Sequence, residues 1–157
     1  QCIRCRELGF VLNKLSKVGK IGKEIRREDI KFRIMNYDAS KGKEFFIEAT
    51  IDFDNASDVL LGLLRLRFPH KPFLPELQDC ALVRELHVYG ASLRIGEKNE
   101  KKETAQHLGI GKTLLELAEQ IAKQKYDKLA VISGVGAREY YRKHGYFLIG
   151  RYMIKSI

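Results

Sequence analysis

The sequence predicts a mixed α/β fold of the α+β class, and three observations carry this prediction. Residues 30–37 alternate apolar and polar side chains, as a half-buried strand does. From Leu114 to Ala122, apolar residues recur at three- and four-residue steps, which is the period of an amphipathic helix. The third observation is the order of the predicted elements along the chain. Antiparallel strands come first and a strand–helix–strand–helix–strand run follows, which is not the order of a doubly wound nucleotide-binding fold.

Turn residues bound each predicted element. Lys41-Gly42 indicates a turn after the first strand, and residues 54–57 indicate the next turn. The predicted strands are residues 30–37, 44–54, 59–67, 80–89, 128–133 and 146–154. The predicted helices are residues 114–122 and 137–144, the second stopped by Gly145. Glu119 and Lys123 have the spacing of an i,i+4 ion pair on the outer face of the first helix.

Length and composition indicate one main domain. The chain has 157 residues, of which 45% are hydrophobic, enough for a real core. It holds no apolar run of about 18 residues, so no membrane span is expected. Residues 1–29 lack a clean period and are expected to be a linker from a preceding domain, with the main domain at 30–157. Three cysteines make no disulfide framework, which favours a cytoplasmic protein.

The chain is strongly basic, with a net charge of +9. Residues 1–33 hold ten Lys and Arg against four Asp and Glu. A solvated basic surface and an anionic partner explain this charge equally well. Nucleic acid, held through its phosphates, would be a natural partner for such a stretch.

The most informative run is residues 106–115, where Gly109 and Gly111 open the helical segment. Glycine permits close backbone approach, and the first N–H groups of a helix attract anions, so the pair suits a pyrophosphate. The dinucleotide pattern fails because Leu114 replaces its third glycine. The Walker pattern fails because Gln106 replaces its first glycine. Taken alone, two glycines at this spacing fit simple helix entry as well as a ligand site.

Longer motifs make the chain recognisable. They are Arg-Glu-Leu-His-Val-Tyr-Gly at 84–90, Ala-Val-Ile-Ser-Gly-Val-Gly at 130–136 and Tyr-Tyr-Arg-Lys-His-Gly-Tyr at 140–146. With the Gln-x-x-Gly-x-Gly loop, they resemble the GNAT acetyltransferase domain of the Elongator catalytic subunit, in an archaeal or bacterial form. Residues 2–7 and 61–67 are similar to it too, so the resemblance covers nearly the whole chain. It implies a mixed central sheet flanked by helices, and a radical S-adenosylmethionine domain that this chain lacks.

The resemblance also implies acetyl-CoA as the cofactor. The strand at 85–88 would separate from its neighbour and bind the acetyl and pantetheine arm, while the helix entry would hold the pyrophosphate. The implied cofactor-binding residues are Glu85, Leu86, His87, Val88, Gln106, Gly109, Ile110, Gly111, Lys112, Thr113 and Tyr141. The catalytic candidates are Tyr141, Glu85 and His87. A phenol at Tyr141 would approach the thioester sulfur and could donate to the departing thiolate.

Several of these roles have structural alternatives. Glu85 and His87 alternate on one strand, so both could face solvent or a structural partner. Tyr140 and Tyr141 cannot face the same way on a helix, so one is expected in the core, and we assign the functional role to Tyr141. Cys2 and Cys5 form Cys-x-x-Cys, which is half of a zinc site. The related subunit has another cysteine just before this pair, so the zinc site is expected to be incomplete here.

The implied function is tRNA modification. Acetyl-CoA would supply an acetyl group for carboxymethylation at C5 of the wobble uridine, and the missing domain would hold S-adenosylmethionine and a 4Fe-4S cluster. The expected partners are tRNA and acetyl-CoA, with other Elongator subunits or a second copy as further candidates. An ordinary lysine or amine N-acetyltransferase is an alternative, with Glu85 as the nearest general base. A non-catalytic module that binds acetyl-CoA or tRNA is a third.

Overall fold

The computed structural model describes residues 2–16, 25–72, 74–90 and 108–157. The helices in these ranges are α1 (Ile3–Arg6), α2 (Leu8–Ser16), α3 (Ile110–Ala122) and α4 (Arg138–Lys143). The strands are β1 (Lys31–Ala39), β2 (Gly42–Phe53), β3 (Ala56–Phe68), β4 (Cys80–Val88), β5 (Lys128–Ile132), β6 (Phe147–Ile149) and β7 (Tyr152–Ser156). None of the described helices is both long and apolar enough to cross a membrane.

The strands form one mixed sheet in the order β1-β2-β3-β4-β5-β7-β6. β4 and β5 are parallel, and α3 lies between them in the chain, as a parallel pair requires. β7 runs antiparallel to both β5 and β6. The sequence-based prediction of an α+β fold with a mixed sheet is confirmed.

The turn between β1 and β2 lies one residue earlier than the sequence indicated. Its central residues are Ser40 and Lys41, with φ values of 46° and 60°. Positive φ at both positions is typical of a type I′ turn, whose twist suits a hairpin. Gly42 instead begins β2, where a Cβ atom would come within 2.4 Å of the main-chain oxygen of Phe68. The glycine is therefore required by a close backbone approach.

Two predicted features of the strands are wrong. β1 is not half-buried, because it is the edge strand of the sheet and its residues 31–38 are all exposed. The predicted last strand, 146–154, is instead a hairpin of β6 and β7. Gly150, with φ of 60°, turns the chain between them and pairs Ile149 with Tyr152. The alternating apolar residues on both sides of this glycine hid the turn in the sequence.

The chain divides into two compact units. The first comprises Gln1–Arg33, Glu48–Leu63 and His87–Leu114. In it, α2 contributes the buried side chain of Leu8, and Arg6 of α1 donates to the buried carboxylate of Glu48 at 2.9 Å. The Arg6 Nε atom also donates to the main-chain oxygen of Asp58 at 3.0 Å. The division between a linker at 1–29 and a main domain at 30–157 stays a prediction.

The second unit comprises Ile34–Ile47, Leu64–Leu86 and Leu115–Ile157. One cluster of its core consists of Leu77, Cys80, Ala130, Tyr152 and Ile154. The thiol of Cys80 is buried, as expected for a small hydrophobic residue.

Glu119 of α3 has different partners from those that its helical spacing indicated. Its carboxylate accepts a hydrogen bond from the Tyr146 hydroxyl and another from Lys155 Nζ, each at 2.8 Å. The predicted i,i+4 pair with Lys123 is absent from the ion pairs of the described residues. The carboxylate is mostly buried, so it bonds to the chain that packs on the helix instead of a neighbour on the exposed face.

Replacing Gly42 with alanine should lower the free energy of unfolding by about 1–3 kcal/mol, because the new methyl group overlaps the Phe68 main chain. The matched control is Gly136→Ala, since nothing lies within 4 Å of a Cβ atom at that position. Urea unfolding monitored by circular dichroism measures both variants. Equal midpoints for the two would contradict the close approach at Gly42.

Candidate active site

The first unit places the glycine pair at the entry to α3. Gly109 directly precedes the helix with φ of 69°, in the left-handed region that glycine adopts without strain. The Thr113 N–H group donates to the Gly109 carbonyl at 3.0 Å, so the helical hydrogen bonds begin at this glycine. Among the described residues, no atom lies within 4 Å of a Cβ atom at Gly109. The described part of the chain thus leaves this side of the helix entry open.

Gly62 in β3 explains how the helix entry reaches the sheet. A Cβ atom there would lie 3.0 Å from the His87 carbonyl oxygen and 3.2 Å from side-chain carbons of Ile110 and Leu114. The missing side chain lets the first turn of α3 pack directly on the strand. Sequence reasoning assigned no role to this residue, although a glycine within an apolar strand is a known mark of close packing.

The end of β4 lies beside this helix turn. The Tyr89 N–H group donates to the Leu61 carbonyl at 2.8 Å and holds the strand end against β3. The His87 side chain is exposed, and its ring contacts the Tyr89 ring at a centroid distance of 4.4 Å. The first unit therefore brings His87 and Val88 together with residues 109–113.

The second unit holds the remaining part of β4. Its paired register with β5 ends at Val83 and Val131, although β4 continues to Val88. β5 itself ends at Ile132, one residue beyond this pair, so the expected separation of the two strands stays a prediction for the part of β4 after Val83. Beyond that point, the exposed Glu85 carboxylate lies 3.8 Å from an Arg65 guanidinium nitrogen. Leu86 is half-buried.

The tyrosine of the α4 pair that packs in the core is Tyr141, the one assigned the functional role, and not Tyr140, so the expected division between the two is wrong. Tyr141 is 6% exposed, against 36% for Tyr140. Its ring meets the Tyr140 and Tyr146 rings edge-on, with centroid distances of 5.3 and 5.8 Å. Burial, with a smaller effect of Tyr140, raises the pKa of Tyr141 to about 12. The phenol therefore stays protonated throughout the physiological pH range.

Two buried polar atoms lie near Tyr141 in the chain, from Ser133, to which sequence reasoning assigned no role, and from Arg138, which was expected to be able to meet phosphates of the cofactor or of RNA. The Ser133 Oγ and Arg138 Nε atoms are buried without a hydrogen-bond partner among the described residues. Buried polar groups are nearly always paired, so such atoms call for a ligand or water. The sequence signal for these two atoms is a serine just before Gly-Val-Gly and an arginine two residues after it, directly after a buried strand.

The remaining predicted site residues are Gln106 of the glycine loop and the cysteine pair of the zinc half-site. Gln106 lies outside the described residues. Cys2 and Cys5 are exposed thiols whose Sγ atoms are 3.0 Å apart. Hydrogen bonds with Cys5 lower the pKa of Cys2. The part of the chain that the structure describes brings together no group of three or more His, Cys, Asp or Glu side chains suited to a metal, and the zinc half-site stays a prediction.

Comparison with known proteins decides the family. The model of the acetyltransferase (GNAT) family matches residues 23–146. The chain belongs to the GNAT acetyltransferase family. It is 45% identical over its whole length to the tRNA uridine(34) acetyltransferase of Dehalococcoides mccartyi, of which it covers 32%. It is 43% identical over 99% of its length to Elongator complex protein 3 of Drosophila melanogaster, of which it covers 26%.

A solved GNAT relative has the same fold. The archaeal Methanocaldococcus infernus Elp3 with an N-terminal deletion superposes with a TM-score of 0.80 at 42% identity. The match covers 99% of this chain and 35% of that one. The chain thus spans about a third of the length of the relatives that it matches.

Membership of the GNAT family implies acetyl-CoA as the substrate. The open, left-handed entry at Gly109 fits a pyrophosphate, because a helix start offers N–H groups and positive potential to an anion. Ile110 is buried and anchors this turn, while the Lys112 side chain is exposed. The residues present therefore fit the phosphate part of this substrate.

The buried tyrosines should make the stability of the protein fall above pH 10. Burial raises the pKa of Tyr141 from 10.0 to about 12, and burial beside Glu119 raises that of Tyr146 as well. Below pH 10 both states hold these protons. Between pH 10 and 12 the unfolded chain loses protons that the folded chain retains, so the free energy of unfolding decreases.

Tyr141→Phe should reduce this alkaline loss, because one of the retained protons is then absent. Urea unfolding at several pH values from neutral to strongly alkaline measures the slope. An identical slope in the variant would show that burial does not hold this phenol neutral.

Proposed function

We propose that this chain binds acetyl-CoA and supplies its acetyl group for modification of uridine 34 in tRNA, as part of a longer enzyme. The observation that carries the proposal is the identity of 45% to a tRNA uridine(34) acetyltransferase across the entire chain. The GNAT family and the open helix entry at Gly109 support acetyl-CoA as the donor. The basic net charge of +9 supports an anionic acceptor such as tRNA.

In this proposal the pyrophosphate lies against the first turn of α3. The N–H groups of residues 110–113 would bind it, with Lys112 adding a positive charge. Residues 85–88 would bind the acetyl and pantetheine arm through their main-chain groups, since β4 continues past its last pair with β5. Gln106 would complete the loop.

Tyr141 would act on the leaving group. A cysteine-like thiol has a pKa of about 8.5, well below the value of about 12 for this phenol. Full proton transfer to the departing thiolate is therefore unfavourable. The phenol would instead stabilise the developing negative charge on sulfur by donating a hydrogen bond, as the donors of an oxyanion site do.

The wider chemistry belongs to a longer protein. S-adenosylmethionine and a 4Fe-4S cluster, which the resemblance implies, would be bound by a domain outside this chain and would activate the acetyl group. Elongator subunits, a second copy of the chain and a cytoplasmic location likewise stay predictions.

An amine N-acetyltransferase is the alternative enzyme. It needs a general base for the ammonium of its acceptor, and Glu85 was the candidate. The exposed Glu85 carboxylate is ion-paired with Arg65, so nothing in its surroundings marks it as such a base. His87 is exposed as well, so its catalytic role rests on the motif alone. The third candidate is a module that binds acetyl-CoA or tRNA without turnover.

Thiol release from acetyl-CoA separates the three functions when it is measured with tRNA, with a lysine peptide and with neither. Stimulation by tRNA alone supports the proposal, and an acetylated peptide supports the amine enzyme. Binding without thiol release supports the module. If acetyl-CoA does not bind at all, the assignment of the glycine loop is wrong.

Gly111→Glu should abolish acetyl-CoA binding, because it puts bulk and a negative charge into the first turn of α3. Gln120→Glu is the matched control, since it adds the same charge at an exposed position about two and a half turns further along the helix. Isothermal titration calorimetry measures both affinities. An unchanged affinity in Gly111→Glu would remove the phosphate role of this turn.

Tyr141→Phe should leave acetyl-CoA affinity within about twofold of the wild type and slow thiol release by about 10²-fold, the scale for loss of one transition-state donor. Thiol trapping under saturating acetyl-CoA measures the rate. Equal rates in the two proteins would exclude Tyr141 as the donor to sulfur.

A further inference from the structure

A cavity of about 450 Å³ lies in the second unit, beside the hairpin of β6 and β7. Its apolar lining comes from Pro75, Phe147, Ile149 and Ile154. Phe147 and Ile154 are cross-strand partners, and Ile149 follows on the same face of the strand. The volume is within the usual range of small-ligand sites, about 300–1,000 Å³. It is large enough for a nucleobase with its ribose.

The exposed Phe147 ring is the feature that indicates a binding site. It is 72% exposed, and no aromatic ring among the described residues stacks on it. Leaving an apolar ring of this size in water is unfavourable, and exposed apolar patches usually mark interaction sites. β6 is also an edge strand of the sheet, so no further strand of the described chain covers it.

The polar residues of the cavity can recognise a base and a phosphate. Glu76 and Gln78 line it, and their side chains offer the acceptor and donor groups that read the edge of a base. Lys128 also lines it, is exposed, and forms no ion pair with any of the described residues. An ammonium group in this position suits a phosphate.

We propose that this cavity binds one unstacked base of a single-stranded RNA segment, with the base on Phe147 and its phosphate near Lys128. Single-stranded RNA is commonly held in this way, by stacking on an aromatic ring and by hydrogen bonds to the base edge. The inference rests on the proposed function, because it assumes that RNA is a partner. It adds a binding site for that partner on the β6–β7 hairpin.

The charge around the hairpin favours RNA over a second copy of the chain. The lining of the cavity carries Lys128 and Lys155 against Glu76, and Lys155 is also paired with Glu119 of α3. Two such surfaces facing each other would repel, whereas a polyanion would be attracted. The cavity therefore matches a ligand that is both aromatic and negatively charged.

Fluorescence anisotropy of a labelled single-stranded RNA, and of the same RNA annealed to its complement, tests the site on the 157-residue chain. Phe147→Ala should weaken binding of the single strand at least about fivefold, the effect of losing one stacked base, and leave the duplex unchanged. Phe147→Trp should restore the affinity. Lys128→Gln should weaken both probes and lower the salt dependence by about one phosphate contact.

Leu148→Ala is the control for general loss of apolar surface, since Leu148 is 40% exposed and points to the other face of β6. Thermal unfolding checks that each variant folds. Equal single-strand binding by Phe147→Ala and the wild type would overturn the base site and leave the proposed function intact. If the wild type binds neither RNA, both this site and the tRNA part of the proposed function fail. If Phe147→Ala only reduces self-association, measured by sedimentation, the face is an interface between copies and the base site is wrong.

Discussion

The missing side chain at Gly62 sets how closely the first turn of α3 approaches the sheet. A single methyl group there would meet the His87 carbonyl and two side chains of the helix turn at 3.0–3.2 Å. At such distances the neighbouring atoms would have to shift by a few tenths of an ångström in a close-packed interior. The strand end that carries His87 and the helix that begins after Gly109 are therefore placed by the same contact. The proposed phosphate site depends on this contact.

Further along α3, the helix is held to the rest of its unit by a largely buried charge as well as by close packing. Glu119 is bonded by the Tyr146 hydroxyl and by Lys155, which neutralises the carboxylate where solvent is largely excluded. A carboxylate in this environment would be costly without such partners. The Tyr146 ring in turn contacts the Tyr141 ring of α4. Burial, with a smaller effect of Tyr140, holds the Tyr141 phenol neutral, so Glu119 bears on that phenol only through the packing of Tyr146.

The order of strands and helices along the chain up to the last hairpin, the helix entry at Gly109 and the recognition motifs could be predicted from the sequence, because these depend on local period and residue type. The two-residue turn at Gly150 and Arg151 was missed, since alternation continues through it on both sides. The partners of Glu119 were missed as well, because i,i+4 spacing describes a helix in isolation and not what packs on it. The exposure of β1 and the role of Gly62 depend on which strands lie beside them, and the residues of one segment do not show this. The list of site residues stays a prediction, and the contacts of those residues could not be predicted from the sequence.

The contact between Arg6 and Glu48 has a consequence for how the chain can be divided. Glu48 is 2% exposed, and its closest cationic partner comes from α1, before the first strand. Without that segment, Arg33, 3.8 Å away, would be the remaining cationic partner of Glu48 among the described residues. Removing one partner of a buried pair typically costs 3–5 kcal/mol, which is comparable with the whole stability of a small domain. A domain boundary that removes α1 would therefore leave the buried charge of Glu48 poorly balanced, so the choice of a boundary depends on charge balance as well as on the number of strands.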